Sequence, residues 1–89
     1  MRKRGWSAIT IDILESGLTP LSKTRLMYKS NMNYLRFQNY LCNFLKKGLI
    51  EEIENRNGRT KLYMTSKRGK ILLTALKKAE SIFSESQIL

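Results

Sequence analysis

Residues 28–41 read YKSNMNYLRFQNYL, and two patterns are superimposed in them. Tyr34, Phe37, Tyr40 and Leu41, continued by Phe44 and Leu45, recur at helical spacing and gather on one arc. Leu35, Arg36, Asn39, Cys42, Asn43 and Lys46 fall on the other side. Asn33 stands where an N-cap belongs, and Gly48 stops the helix. Ahead of it, Pro20 breaks the chain and Ser22 caps a short helix over about residues 22–30, with Leu26 and Met27 inward. The joint between the two is tight. Ser30 is small where helices approach closely, Asn31 tolerates a left-handed backbone, and Met32 can plug the core beneath the turn. The stretch therefore predicts a helix-turn-helix pair.

The outer face of the second helix of that pair carries Asn, Arg and Gln but no carboxylate. A face that only needed solvation would usually carry Glu and Lys. In a helix-turn-helix this helix enters the major groove with its N-terminal part toward base edges. Arg pairs with guanine O6 and N7, and Asn or Gln with adenine N6 and N7. A carboxylate would be repelled by the flanking phosphates. Asn33, Tyr34, Leu35, Arg36, Asn39 and Asn43 are the resulting candidates, with Leu35 suited to a thymine methyl and the capped helix start to a phosphate. Taken singly, Asn33 is explained as a cap, Asn31 as a turn residue and Gln38 as a flank. The acid-free face as a whole carries the reading.

Working outward, WSAITIDILES at 6–16 places Trp6, Ile9, Ile13 and Leu14 on one helical face, with Gly17 as its C-terminal stop. After Gly48, the Asn57-Gly58 pair is a strong hairpin signal, joining strands at about 49–54 and 60–65. Arg56, Arg59 and Lys61 flank its tip and suit phosphate or minor-groove contact. Ser66 caps a last helix reaching about residue 86. The predicted fold is mainly α with a small β-hairpin: a winged helix-turn-helix of three helices, a two-stranded wing and a C-terminal helix. Residues 1–65 would form the DNA-binding domain and 66–89 a dimerisation element.

With 89 residues the chain suits one small domain. Seventeen Lys and Arg against seven acids give a net charge of +10. Residues 16–50 and 55–79 hold no acid, so the bases form a face rather than a general solubilising charge. Lys23 and the N-terminal Arg2, Lys3 and Arg4 join the candidate phosphate contacts. One cysteine, Cys42, rules out an intrachain disulfide and fits a small half-buried helix position. With no histidine, a zinc site is out of reach, no cofactor is expected, and the usual acid–base and nucleophile sets of an enzyme are missing. Met-Arg-Lys-Arg opens like a secretory leader, but Ser7, Thr10 and Asp12 interrupt the apolar stretch after it, and nothing is long enough to span a membrane. A cytoplasmic, nucleoid-associated protein is expected.

Leu72, Leu76, Ala79 and Phe83 step along the last helix by four, three and four residues, as in a coiled-coil seam. That is only about two heptads, short for a dimer in water. Ile82, Ile88 and Leu89 add apolar surface that a chain this small can scarcely bury alone. A homodimer through this helix, helped by the first, is expected.

The run LSKTRLMYKSNMNYLRFQNYLCNFLKKGLIEE resembles the archaeal winged-helix family that includes the Sso10a-type DNA-binding proteins. Thr24 to Lys29, Asn31 to Tyr34, Tyr40, Leu41 and Lys47 to Ile50 carry the likeness, and MTSKRGKILL resembles the stretch opening the family's last helix, with Ser66 and Gly69 in place. Lys67 replaces an acid common there, and the last helix is shorter than the long coiled coil of some members. The resemblance implies duplex DNA as partner. Three functions compete: a transcription regulator, a sequence-tolerant architectural DNA-binding protein, and a winged-helix protein-interaction module.

Overall fold

The computed structural model describes the backbone of residues 4–55 and 58–88, with side chains to residue 84. In chain order the elements are α1 (Trp6–Ser16), β1 (Leu21–Ser22), α2 (Lys23–Lys29), α3 (Tyr34–Lys46), β2 (Ile50–Glu54), β3 (Lys61–Thr65) and α4 (Lys67–Ile88). The wing is not the expected two-stranded one. Its sheet has three antiparallel strands in the order β1-β3-β2, because Leu21 and Ser22 pair with Tyr63 and Leu62 on the side of β3 away from β2. A strand of two residues has no alternation to read, so only its partner reveals it.

The helix ends follow from their local chemistry. Ser22 Oγ accepts from the Arg25 amide at 3.3 Å, and Asn33 Oδ1 from the Arg36 amide at 3.0 Å. Each cap contributes about 1 kcal/mol. At the C-terminus of α2, Asn31 is left-handed at φ 57°, and the Met32 and Asn31 amides donate to Met27 and Tyr28 carbonyls. At the C-terminus of α3, Gly48 is left-handed at φ 71°, and the Leu49 and Gly48 amides donate to Phe44 and Leu45 carbonyls. Both ends are Schellman motifs. Gly17 is different. Its φ is −87°, and a Cβ there would lie 2.8 Å from Thr65 Oγ1, so the residue serves close approach rather than a left-handed turn.

The core joins Ile9, Ile13 and Leu14 of α1 to Leu26, Met32, Phe37, Leu41 and Phe44 of the helix pair, with Leu49, Ile50, Tyr63 and Leu73 closing it from the sheet and α4. Burying each large apolar side chain contributes about 1.5–3 kcal/mol. Three expected placements are overturned. Trp6 is 65% exposed and Tyr34 58% exposed, since both stand in the first turn of their helices, beyond the reach of the core. Cys42 is exposed, because it lies opposite the arc of Phe37, Leu41 and Phe44.

Two polar junctions fix how the elements meet. Thr65 donates its amide to the Gly17 carbonyl at 2.8 Å and its hydroxyl to the Leu14 carbonyl at 2.6 Å. Next to it, the Ser66 amide reaches the Leu49 carbonyl at 2.9 Å, and Ser66 Oγ donates to the Gly48 carbonyl and accepts the Gly69 amide. At the opposite end, Arg4 reaches across to the helix-turn-helix joint. Its guanidinium donates to the Ser30 carbonyl at 2.9 Å and the Asn31 carbonyl at 2.7 Å while paired with Asp12 at 2.5 Å.

Gly69 lies so close under Leu49 that a Cβ would overlap that carbonyl and the Thr65 methyl. Gly69→Ala is expected to lower stability by more than about 3 kcal/mol in urea unfolding. Gly58→Ala, left-handed but with open space around its Cβ, is expected to lower it by only about 1–2 kcal/mol. Arg4→Ala, which strips two charge-assisted bonds from the joint, is expected to cost about 1.5–3 kcal/mol in the same measurement.

Candidate nucleic-acid interface

The α3 core arc of Phe37, Leu41 and Phe44 sets what faces outward. Directly opposite stand Leu35, Asn39, Cys42 and Lys46, at spacings of four, three and four, and all are exposed. Arg36 and Asn43 flank that stripe and are exposed as well. Leu35, at 76% exposure, is an apolar tip presented to solvent near the helix start. Tyr34 flanks on the other side, where the Lys23 ammonium lies 5.6 Å from its ring centroid. That contact brings a cation of α2 to the start of α3. Gln38 is half-buried, with Nε2 directed to Cys42 Sγ at 3.7 Å, so it does not belong to the outer face.

The wing supplies a second basic element. β2 and β3 pair from Ile50↔Thr65 to Glu54↔Lys61, and Gly58 turns at φ 67°. Arg59 and Lys61 are exposed, with Lys61 3.4 Å from Glu52. Arg56 lies outside the described residues, as do Arg2 and Lys3. Arg4 sits in a basic run, which is why it reads as a phosphate contact. Instead its guanidinium holds Asp12 and the carbonyls of the helix joint. A short-range charge count could not separate it from its neighbours, because its partners lie up to 28 positions away.

Sequence reasoning places Cys42 and Lys46 on the outward side but does not name them among the candidate contacts. The signal is present: once the core arc is centred on Phe37, Leu41 and Phe44, the opposite stripe runs through both. In α4, Leu73 is buried, and Leu72 and Leu76 pack against the core, whereas Ala79, Ile82 and Phe83 are exposed. The seam expected at Leu72, Leu76, Ala79 and Phe83 is therefore divided between the domain's own core and its surface. Among the described residues, no group of three or more His, Cys, Asp or Glu is placed to hold a metal ion. No helix among them is long and apolar enough to cross a membrane.

Solved structures share this arrangement. Sso10a-2, a DNA-binding protein from Sulfolobus solfataricus, superposes with a TM-score of 0.76 at 27% identity over 94% of this chain and 90% of its own. The transcriptional regulator BldR, also from Sulfolobus solfataricus, gives 0.77 at 15% identity over 90% of this chain and 59% of its own. A mutant of MepR from S. aureus, bound to an oligodeoxyribonucleotide, gives 0.72 at 17% identity over 92% of this chain and 61% of its own. The chain thus spans about three-fifths of these two longer proteins, whose likeness is one of fold. No curated protein matches the sequence. The family described as winged helix-turn-helix matches residues 3–84, and the chain belongs to that family.

Proposed function

We propose that the protein binds duplex DNA as a transcription regulator, with α3 in the major groove and the wing on the backbone or in the minor groove. The observation that carries this reading is the exposed, acid-free face of α3, capped by Asn33 and carried on a winged helix-turn-helix. Sso10a-2, the neighbour matched over most of both chains, is described as a DNA-binding protein, which supports the partner class. Arg36, Asn39 and Asn43 would read base edges, with Leu35 against a thymine methyl. Asn33, Tyr34 and Lys23 would seat the start of α3 on a phosphate, and Arg59 and Lys61 would hold the wing there. Arg2, Lys3 and Arg56 remain proposed phosphate contacts by charge alone. Arg4 is left out of the set, because its guanidinium serves the helix joint. No cofactor and no catalytic step are part of this reading, and its place of work is the nucleoid.

A homodimer completes the reading. Residues 67–76 of α4 belong to the domain's packing, so the dimerisation element is narrowed to the distal half of the helix, with Ala79 and Phe83 joined by Ile82. Ile82 and Phe83 are 54% and 59% exposed, apolar surface that a second copy would cover. Two α3 helices would then meet half-sites about one turn of DNA apart.

Selection from a random duplex library is the first test, and an enriched motif is the expected result. Enrichment of none, with tight binding retained, would favour the architectural reading. On the selected site, Arg36→Ala is expected to cost about 1–3 kcal/mol and little on scrambled duplex. Arg59→Ala should weaken both duplexes alike and reduce the salt slope by about one charge. For assembly, sedimentation at high micromolar concentration should give a dimer, and Phe83→Asp should give a monomer that still folds.

A further inference from the structure

We infer that the groove between α1, α3 and α4 is a binding site for an amphipathic organic anion, a carboxylate on an alkyl or aryl body, and that its occupancy is felt by the recognition helix. The groove has a volume of about 650 Å³, within the usual range for a small-molecule site. Trp6, Tyr40, Phe44, Ile71, Leu72 and Ala75 form its apolar walls. Trp6 and Ile71 are each 65% exposed there, so large apolar surfaces face open space. Tyr40 and Phe44 meet edge to face with centroids 5.8 Å apart, which fixes one wall.

The charged lining residues are Lys47 and Arg68, and no carboxylate lines the groove. Both cations stand at one end. Lys47 caps the C-terminus of α3, and Arg68 lies in the first turn of α4, its Cδ about 4 Å from where a side chain on Gly48 would begin. Ala75 lies two helical turns further along α4, about 10 Å away. The site is thus cationic at one end, with mainly apolar walls beyond it that also carry Thr10, Asn43 and Asn39, and its span fits a medium-chain carboxylate. A hydrocarbon alone would leave the cations unused, and a phosphodiester would leave the apolar walls of Trp6, Phe44, Ile71 and Leu72 uncovered. The distal apolar residues Ile82 and Phe83, proposed for the dimer, are not among those that line it.

Asn39 and Asn43 also line this groove. They belong to the face proposed to read base edges, so the coupling clause rests on that function. An anion seated between Lys47 and Arg68 adds negative charge beside α3 and ties up its flank, and so opposes DNA. By linkage, DNA then weakens the anion to the same degree.

Trp6 is the one tryptophan of the chain, so its emission reports occupancy directly. Titration with decanoate should give a saturable blue shift. Decanol, the same chain without the charge, should bind about tenfold more weakly or less. Lys47→Gln combined with Arg68→Gln should weaken decanoate about tenfold while leaving decanol unchanged. Ala75→Phe, at an exposed position that should fold normally by circular dichroism, should abolish both shifts. Equal binding of decanoate and decanol, indifference to the double variant, or a shift produced by protein concentration alone would each overturn the site, the last by assigning the groove to a second copy. Saturating decanoate should lower affinity for a labelled duplex by about threefold or more; unchanged affinity overturns the coupling. Absence of any duplex binding would count against the proposed function, and the fluorescence arm would still decide the site.

Discussion

Two adjacent residues, Thr65 and Ser66, hold the geometry together. Thr65 ends β3 and engages the C-terminal carbonyls of α1 through both amide and hydroxyl. Ser66 binds Gly48 and Leu49, which terminate α3, and caps the first turn of α4 at Gly69. Three helices and the sheet therefore meet through helix-end carbonyls, those of Leu14, Gly17 and Leu49 on buried residues, that would otherwise lack these partners. Each such bond contributes about 1 kcal/mol net, but an orphaned buried carbonyl costs about 1–3 kcal/mol, so the junction is held mostly by the penalty for breaking it. The overlap that any Cβ at Gly69 would create shows how little slack remains. At the far end of α3, Arg4 and Asp12 hold the turn that precedes Asn33. The helix is fixed at both ends by groups on its inner side, which leaves its outer face uncommitted.

What the sequence makes legible here is what local chemistry decides. Ser22 and Asn33 cap as their types and positions require, Asn31 and Gly48 turn left-handed where the helices stop, and Met32 fills the space beneath the joint. The strand β1 and the helix-joint role of Arg4 are not legible for one cause: each depends on a partner distant in the chain. β1 exists only because β3 offers it an edge, and Arg4 is structural only because Ser30 and Asn31 come to lie beside it. Tyr34 and Trp6 read as inward because they match the apolar period. A first-turn aromatic satisfies that period whether or not the core extends beneath it, and in both helices it does not. Of the candidate site, the outward position of Leu35, Arg36, Asn39 and Asn43 is legible, because period alone decides it. The division of α4 is not, since Leu72 and Leu76 fit a dimer seam and a domain core equally well.

The acids of α1 and β2 lie off α3, and those of β2 stand beside the wing's Lys61. Asp12 pairs with Arg4, Glu15 with Lys77 at 2.6 Å, and Glu52 with Lys61. Exposed pairs of this kind add only about 0–1 kcal/mol each, so their placement matters more than their strength. Glu51, Glu52 and Glu54 line β2, which is an edge strand of the sheet. Charge along an exposed edge discourages pairing with another chain's strand, a hazard for a small protein with a short sheet. The same three residues set a negative strip apart from the acid-free α3, and the resulting dipolar charge distribution would orient the molecule as it approaches a polyanion.

The placement of α4 links stability to the proposed regulation. Its first half completes the core through Leu73 and forms one wall of the groove through Ile71 and Ala75. Its second half runs on with Ile82 and Phe83 more than half exposed. α3 forms the facing wall with Tyr40 and Phe44 and carries Asn39 and Asn43 at its rim. A change in spacing between these two helices cannot be absorbed at the Ser66 junction, where the Gly69 contact leaves no room for sliding. It has to be taken up toward the start of α3, where the restraints are the Arg4 bonds and the exposed Asn33 cap. That end presents Leu35 and Arg36. An occupant of the groove would therefore act on the proposed base reading through a helix held rigidly at one end and by more exposed bonds at the other.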